Sequence, residues 1–358
     1  MKSEENIQEI LDYIQTTEEK TLNFDKEAIV AAYQKNNEPQ SLAIKILSVF
    51  GGILASLAFL GFIILAGIDN SGAGLFILGT IFIAGAIYTS KIHDKKIILD
   101  TIIVSCFVIG FWLLGFAFIA MNIDVNTICV LFIVIAFLSI IIAQNYILSF
   151  ISTLIISGSI LSLILLNDSY TFLHLYIAAF VAIITYFFLS EAKIIATNNI
   201  LSKLYNPIRT GLTFSFLAGL AFVGKKGLLP ISADYIWLSS IVTISAVIYL
   251  LSNLFKILNI NKIQHKIGIY IFAVLALLPT AFSPAISGAI LLILLSFYVN
   301  YKTGLVLGVI AFIYFISQYY YDLNLTLLTK SILLFSSGVI FIIIYLFTHK
   351  KLTTNEKV

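Results

Sequence analysis

Charge is what this sequence has least of: Asp, Glu, Lys and Arg together make up 11% of its 358 residues, while hydrophobic side chains make up 60%. Soluble domains carry roughly 25% charged residues, so a soluble globular fold is excluded. Cysteine is almost absent. Cys106 and Cys129 fall in successive apolar segments at different depths, which argues against a disulfide and for two reduced thiols. Catalytic and cofactor signatures are missing too. The chain has no HExxH, no P-loop, no GxGxxG and no GxSxG. Its histidines, His93, His174, His265 and His349, sit near the ends of apolar segments without metal-ligand spacing and read as interfacial polar residues. The expectation is a protein that is not an enzyme and holds no cofactor or metal.

The net charge of +3 hides a split, because residues 1 to 41 hold nine acids against four lysines and the remainder holds nine acids against seventeen bases. Such a balance gives no footprint for nucleic acid. The acidic N-terminus lacks the pattern of a cleavable signal peptide, so the first apolar run is expected to stay as an anchor.

What the chain does have is length in its apolar runs. From about Ile46 to Phe347 polar residues interrupt every 20 to 30 positions, the pattern of a helix bundle that uses the lipid bilayer as its solvent. In lipid only a helix or a closed barrel satisfies its own backbone. The spacing predicts an all-α polytopic bundle of about twelve spans: 46–68, 72–89, 97–121, 127–143, 146–166, 171–190, 209–223, 235–254, 267–282, 285–299, 304–319 and 325–347. Residues 1–41 form a cytoplasmic segment with two amphipathic stripes, Ile7/Ile10/Leu11/Ile14 and Ile29/Val30/Tyr33. Residues 42–349 form the bundle and 350–358 a cytoplasmic tail.

Orientation follows the lysines. Lys91, Lys95, Lys96, then Lys193, Lys203 and Arg209, then Lys256, Lys262, Lys266, then Lys302, and finally Lys350, Lys351 and Lys357 all fall on one side of the alternation. The other side has Lys225 and Lys226 alone, with Asp69, Asp124, Asp168, Asp234 and Asp322 in its loops. The positive-inside rule therefore places both termini in the cytoplasm.

Residues 55–61 (ASLAFLG) resemble residues 218–224 (AGLAFVG), and the longest internal loop, 191–208, would divide two halves of six spans each. In such a repeat the span with Pro279 and Pro284 matches the one with Gly110 and Gly115, which makes these four residues candidate helix breaks; a tight turn explains the prolines equally well. Gly304/Gly308 and Gly211/Ser215/Gly219 stand at four-residue steps and predict close helix packing within the chain. Asp100 and Glu191, at span ends, are explained by capping or lysine pairing. Polarity in mid-span is limited to hydroxyls such as Ser105, Ser139, Ser157, Ser159, Thr185, Thr213, Ser215 and Ser245, so the ionisable group that proton-coupled carriers keep inside their bundle is missing.

The most distinctive text is Tyr319 to Ser331, YYYDLNLTLLTKS. Its tyrosines suit an outer interface. Lys330 lies about 11 Å deeper than Asp322 at 1.5 Å per residue, either snorkelling to the interface or facing the bundle and paired with Asp322. Tyr320, Tyr321, Asp322, Lys330 and Ser331 are thus the candidate functional or partner site.

The run Tyr-Tyr-x-Leu-x-x-x-Leu-Leu-x-Lys-Ser at Tyr320 to Ser331, followed by Ser337 and Gly338, resembles the C-terminal signature of an uncharacterised integral-membrane family, DUF4401. The N-terminal segment before many spans is similar to the layout of DUF2157. The resemblance implies a bacterial inner-membrane protein of no known activity, with a second envelope protein carrying a Gly-Asp-Tyr signature encoded nearby as a partner. Two function classes follow: a non-catalytic envelope component that associates with such a partner, or a permease for a small or lipophilic solute. An intramembrane lipid enzyme is disfavoured, since the polar cluster it needs is not visible. A cavity would favour the permease and a solid bundle the component.

Overall fold

The computed structural model describes residues 42–65, 71–92, 97–225, 227–230, 235–257 and 262–322, with isolated positions between 328 and 342. The two N-terminal stripes, the tail, and most of the last expected span fall outside the described residues. Every regular element that is described is helical. In order these are α1 (Leu42–Leu65), α2 (Gly72–Ile92), α3 (Ile97–Ala120), α4 (Val125–Ala143), α5 (Tyr146–Leu166), α6 (Phe172–Leu189), α7 (Glu191–Thr197), α8 (Asn199–Gly224), α9 (Ile236–Ile257), α10 (Ile263–Leu277), a 3-10 turn (Leu278–Phe282), α11 (Pro284–Tyr298) and α12 (Lys302–Asp322).

Eight of these helices, α2, α3, α4, α5, α6, α8, α9 and α12, are long and apolar enough to cross a membrane. This is a multi-pass membrane protein. Their boundaries follow local chemistry. Asp124 accepts from the backbone N–H groups of Asn126 and Thr127 at 3.0 and 3.3 Å and so starts α4; Asn145 does the same for α5 through Ile147 and Leu148. Between those helices Gln144 takes the left-handed conformation at φ 48°.

Two expectations about breaks separate here. Pro279 and Pro284 do interrupt the chain: α10 gives way to the 3-10 turn and Pro284 opens α11. Nearby hydroxyls take carbonyls at this break, Thr280 donating to Leu277 O at 2.6 Å and Ser287 to Pro284 O at 3.1 Å. Gly110 and Gly115 break nothing, because α3 runs through both. At Gly110 a Cβ would lie 2.5 Å from the Ile83 side chain and 3.0 Å from the Gly79 carbonyl oxygen; the missing side chain lets α2 and α3 approach.

The chain divides into two compact units, at Ala117/Phe118. In the first, α1 meets α3 where Ser56 donates to Ser105 O and Ser105 donates to Gly52 O, each at 3.2 Å, with Gly52 set against Val104. Leu75, Ile63, Ile109, Leu113 and Ala117 form its apolar core.

In the second unit α11 is the buried centre. Ala285, Ala289, Leu291, Leu292 and Leu295 are fully enclosed, and α8, α9 and α12 pack around them. Both small-residue stripes serve intramolecular packing. A Cβ on Gly211 would meet the Thr153 side chain of α5 at 2.7 Å, and one on Gly308 would meet Ile293 of α11 at 2.8 Å.

Candidate functional site

The segment read from sequence as the longest internal loop, residues 191–208, is helical. Asn198 is extended and its side chain accepts from Ile200 N at 2.9 Å, ending α7 and capping α8. From there α8 continues for 26 residues with Pro207 inside it. Arg209 therefore sits within a helix, where the sequence reading had put the mouth of a span.

Its side chain is 9% exposed. Nη1 donates to Glu191 Oε1 at 3.0 Å and Nη2 donates to Asn206 Oδ1 at 2.8 Å. The guanidinium lies 4.0 Å from the centre of the Tyr301 ring, 4.9 Å from that of Tyr205 and 5.8 Å from that of Phe188. Buried cation–π contacts reach about 2 kcal/mol once water is excluded, and here three rings supply the surroundings of one cation. Nε is buried without a hydrogen-bond partner.

The rings are themselves held. Tyr205 stacks on Phe187 with centroids 4.8 Å apart and donates its hydroxyl to Phe187 O at 3.1 Å. The Thr210 hydroxyl donates to Asn206 O at 2.9 Å, leaving its oxygen to accept from Tyr301 at 2.9 Å and Tyr146 at 3.3 Å. Burial pushes the Tyr301 phenol above its ordinary range, so it stays a neutral hydrogen-bonding group at physiological pH. The cluster thus joins the end of α6, the start of α7, α8, the start of α5 and the turn between α11 and α12. Chemically it is a fastening. A guanidinium faces a carboxylate and lies over aromatic rings.

Of the residues singled out from sequence, Tyr320, Tyr321 and Asp322 come together at the end of α12. The two rings meet edge to face at 5.7 Å, and Asp322 accepts from Gln318 Nε2 at 3.0 Å. Lys330 lies outside the described residues, and Ser331 is helical and exposed; a pairing of Asp322 with Lys330 is therefore not part of the described structure. Glu191 pairs with arginine, not lysine. His174 is no interfacial group: it is 1% exposed and shares a hydrogen bond of 2.9 Å between Nδ1 and Ser239 Oγ. Cys106 and Cys129 are free thiols.

Sequence reasoning missed the Arg209 cluster, although a signal was present. The chain uses lysine twenty times and arginine once. A composition that otherwise chooses lysine for every cation keeps arginine where a planar, two-pronged donor stacks on aromatic faces, a job lysine does poorly.

No curated protein and no solved structure matches this chain significantly. A family model does match, over residues 41–351 and hence over nearly all of the chain, so this protein belongs to the family described as a domain of unknown function, DUF4401.

Proposed function

We propose that the chain is a non-catalytic component of a bacterial inner membrane that associates with a partner protein. One observation carries this reading: the second unit holds an enclosed helix, α11, at its centre, where a permease would keep a route. Polar side chains elsewhere in the unit fasten helices to one another, as in Ser157 with Ser215 and the Arg209 cluster. Twelve crossings with both termini cytoplasmic remain our reading of the lysine pattern, supported by helix bounds that track the expected spans from 72 to 319. On that reading the Arg209 cluster sits at the cytoplasmic end, and Tyr320, Tyr321 and Asp322 face the outside, where they offer a docking surface.

The permease alternative has one observation in its favour. α11 is 15 residues long, roughly 22 Å at 1.5 Å per residue against about 30 Å of hydrocarbon, and short interrupted helices are a transporter device. A photo-crosslinking amino acid at Tyr321, which is 75% exposed, separates the two in intact cells. The component reading expects a discrete protein adduct there and none from an enclosed control at Leu292. Absence of any adduct from Tyr320 and Tyr321, with solute uptake into vesicles of the purified protein, would replace it by the permease.

A further inference from the structure

We infer that the second unit carries a binding site for a membrane phospholipid, in a groove of about 390 Å³ between α6 and α9. This goes beyond the partner reading and does not depend on it. The groove is bounded by Val181, Thr185 and Tyr186 on one side and by Val242, Ser245 and Tyr249 on the other. Its volume lies within the ~300–1,000 Å³ typical of small-ligand sites. The walls are mostly apolar, as an acyl chain requires.

Thr185 gives the site its chemistry. Six threonines among the described residues are buried. Thr153, Thr210, Thr213 and Thr243 each donate to the carbonyl four residues back, and Thr280 to the one three back. Thr185 makes no hydrogen bond, although its hydroxyl is buried and the residue lines the groove. A buried hydroxyl without a partner is costly in apolar surroundings; every other buried threonine avoids that state, and the buried serine hydroxyls that share it, those of Ser149, Ser152, Ser240 and Ser296, do not line the groove. Turning the Thr185 hydroxyl into the groove, to the second of the two rotamers threonine uses in helices, to meet an acceptor supplied from outside the chain, resolves it. The helix of a neighbouring protein brings none from its backbone, because a spanning helix bonds its own carbonyls. A glycerolipid brings ester carbonyls on its chains.

Position and charge agree with a lipid. α6 and α9 run parallel, since His174 meets Ser239 near their starts and the groove opens between their later turns. Thr185 stands four residues before the end of α6, about 6 Å along its axis, a depth suited to the ester layer. Beyond the groove at the same end come Lys193 of α7 and Lys256 in the last turn of α9. The occupant is therefore a diacyl lipid with an anionic headgroup. One chain fills the groove, an ester carbonyl accepts from Thr185, and the phosphate lies toward the lysine-bearing end.

Native mass spectrometry of the full chain in mild detergent, with added ester-linked phosphatidylglycerol or its ether-linked analogue, tests this. The wild type should retain the ester lipid about fivefold to tenfold better than the ether analogue. Thr185→Val should lose that preference and Thr185→Ser keep it, while Ala246→Trp, which fills the groove, should remove the adduct. Thr80→Val, at an exposed hydroxyl that donates to Phe76 O, should change nothing. Equal retention of ester and ether lipids by the wild type overturns the inference, as does an undiminished adduct on Ala246→Trp, a variant that decides the matter even if Thr185→Val fails to fold. A protein crosslink from a photoreactive residue at Tyr249, with no lipid adduct on the wild type, would give the groove to a partner helix instead.

Discussion

Two helix pairs in the second unit, α5 with α8 and α6 with α9, are both built from helices long and apolar enough to span a membrane, and they end differently. Along α5 and α8, Gly211 receives Thr153 and Ser157 shares a hydrogen bond with Ser215, so the helices close on each other. Along α6 and α9, His174 and Ser239 join the first turns, but the later turns gape into a groove bounded by Val181, Thr185, Val242, Ala246 and Tyr249. In lipid apolar surface gains little by meeting apolar surface, so small side chains and paired hydroxyls decide which helices close.

The largest test of that contrast is at the end of the closed pair, where Arg209 ties α8 to its neighbours. Arg209→Met strands Glu191 and removes the stacking on Tyr301, and should cost about 3 kcal/mol, the low end for a broken buried pair because Glu191 is 30% exposed. Thermal unfolding in detergent checks this. Adding Glu191→Gln should recover part of the loss, while Arg209→Lys should restore little, since an ammonium neither forks nor stacks.

Next in size is the closed seam itself. Gly211→Val drives a side chain into Thr153 and should destabilise by about 1–3 kcal/mol, whereas Gly158→Val, on α5 with open space around its Cβ, should be close to neutral. Similar melting temperatures for the two would mean that α5 and α8 do not meet as described. At the closed end of the open pair, Ser239→Ala leaves the buried His174 without its partner and should cost about 1–2 kcal/mol. The change should leave the groove and its lipid intact, as native mass spectrometry would show. The smallest effect is at the entry to α5: Gln144→Gly relieves a left-handed residue and should raise stability by about 0.5–1 kcal/mol.

Much of this was legible in the sequence, and one stretch shows why the rest was not. The expected spans 146–166 and 285–299 coincide with α5 and α11 to within a residue, because apolar runs bounded by Asn145, Asn167 and Pro284 leave little choice. The expected span 209–223 covers only the later part of α8, since Lys203, Asn206, Pro207 and Arg209 lower hydropathy over its first half. A window average reads those residues as a loop. Burial comes instead from aromatic partners on α6 and beyond α11, far away in sequence. Gly110 and Gly115 misled in the opposite sense, because glycine that would loosen a soluble helix serves here to let helices touch. The groove had no sequence signature; it depends on a hydroxyl that fails to find its usual carbonyl.

The solitary arginine has a practical consequence. A dicarbonyl reagent specific for guanidinium groups can react at one side chain in this protein, and after lysine acetylation trypsin can cut one bond, between Arg209 and Thr210. The protein thus contains its own single-site reporter. Labelling or cleavage at that position reads the opening of the cluster directly, in detergent, in vesicles or in cells, without any introduced probe.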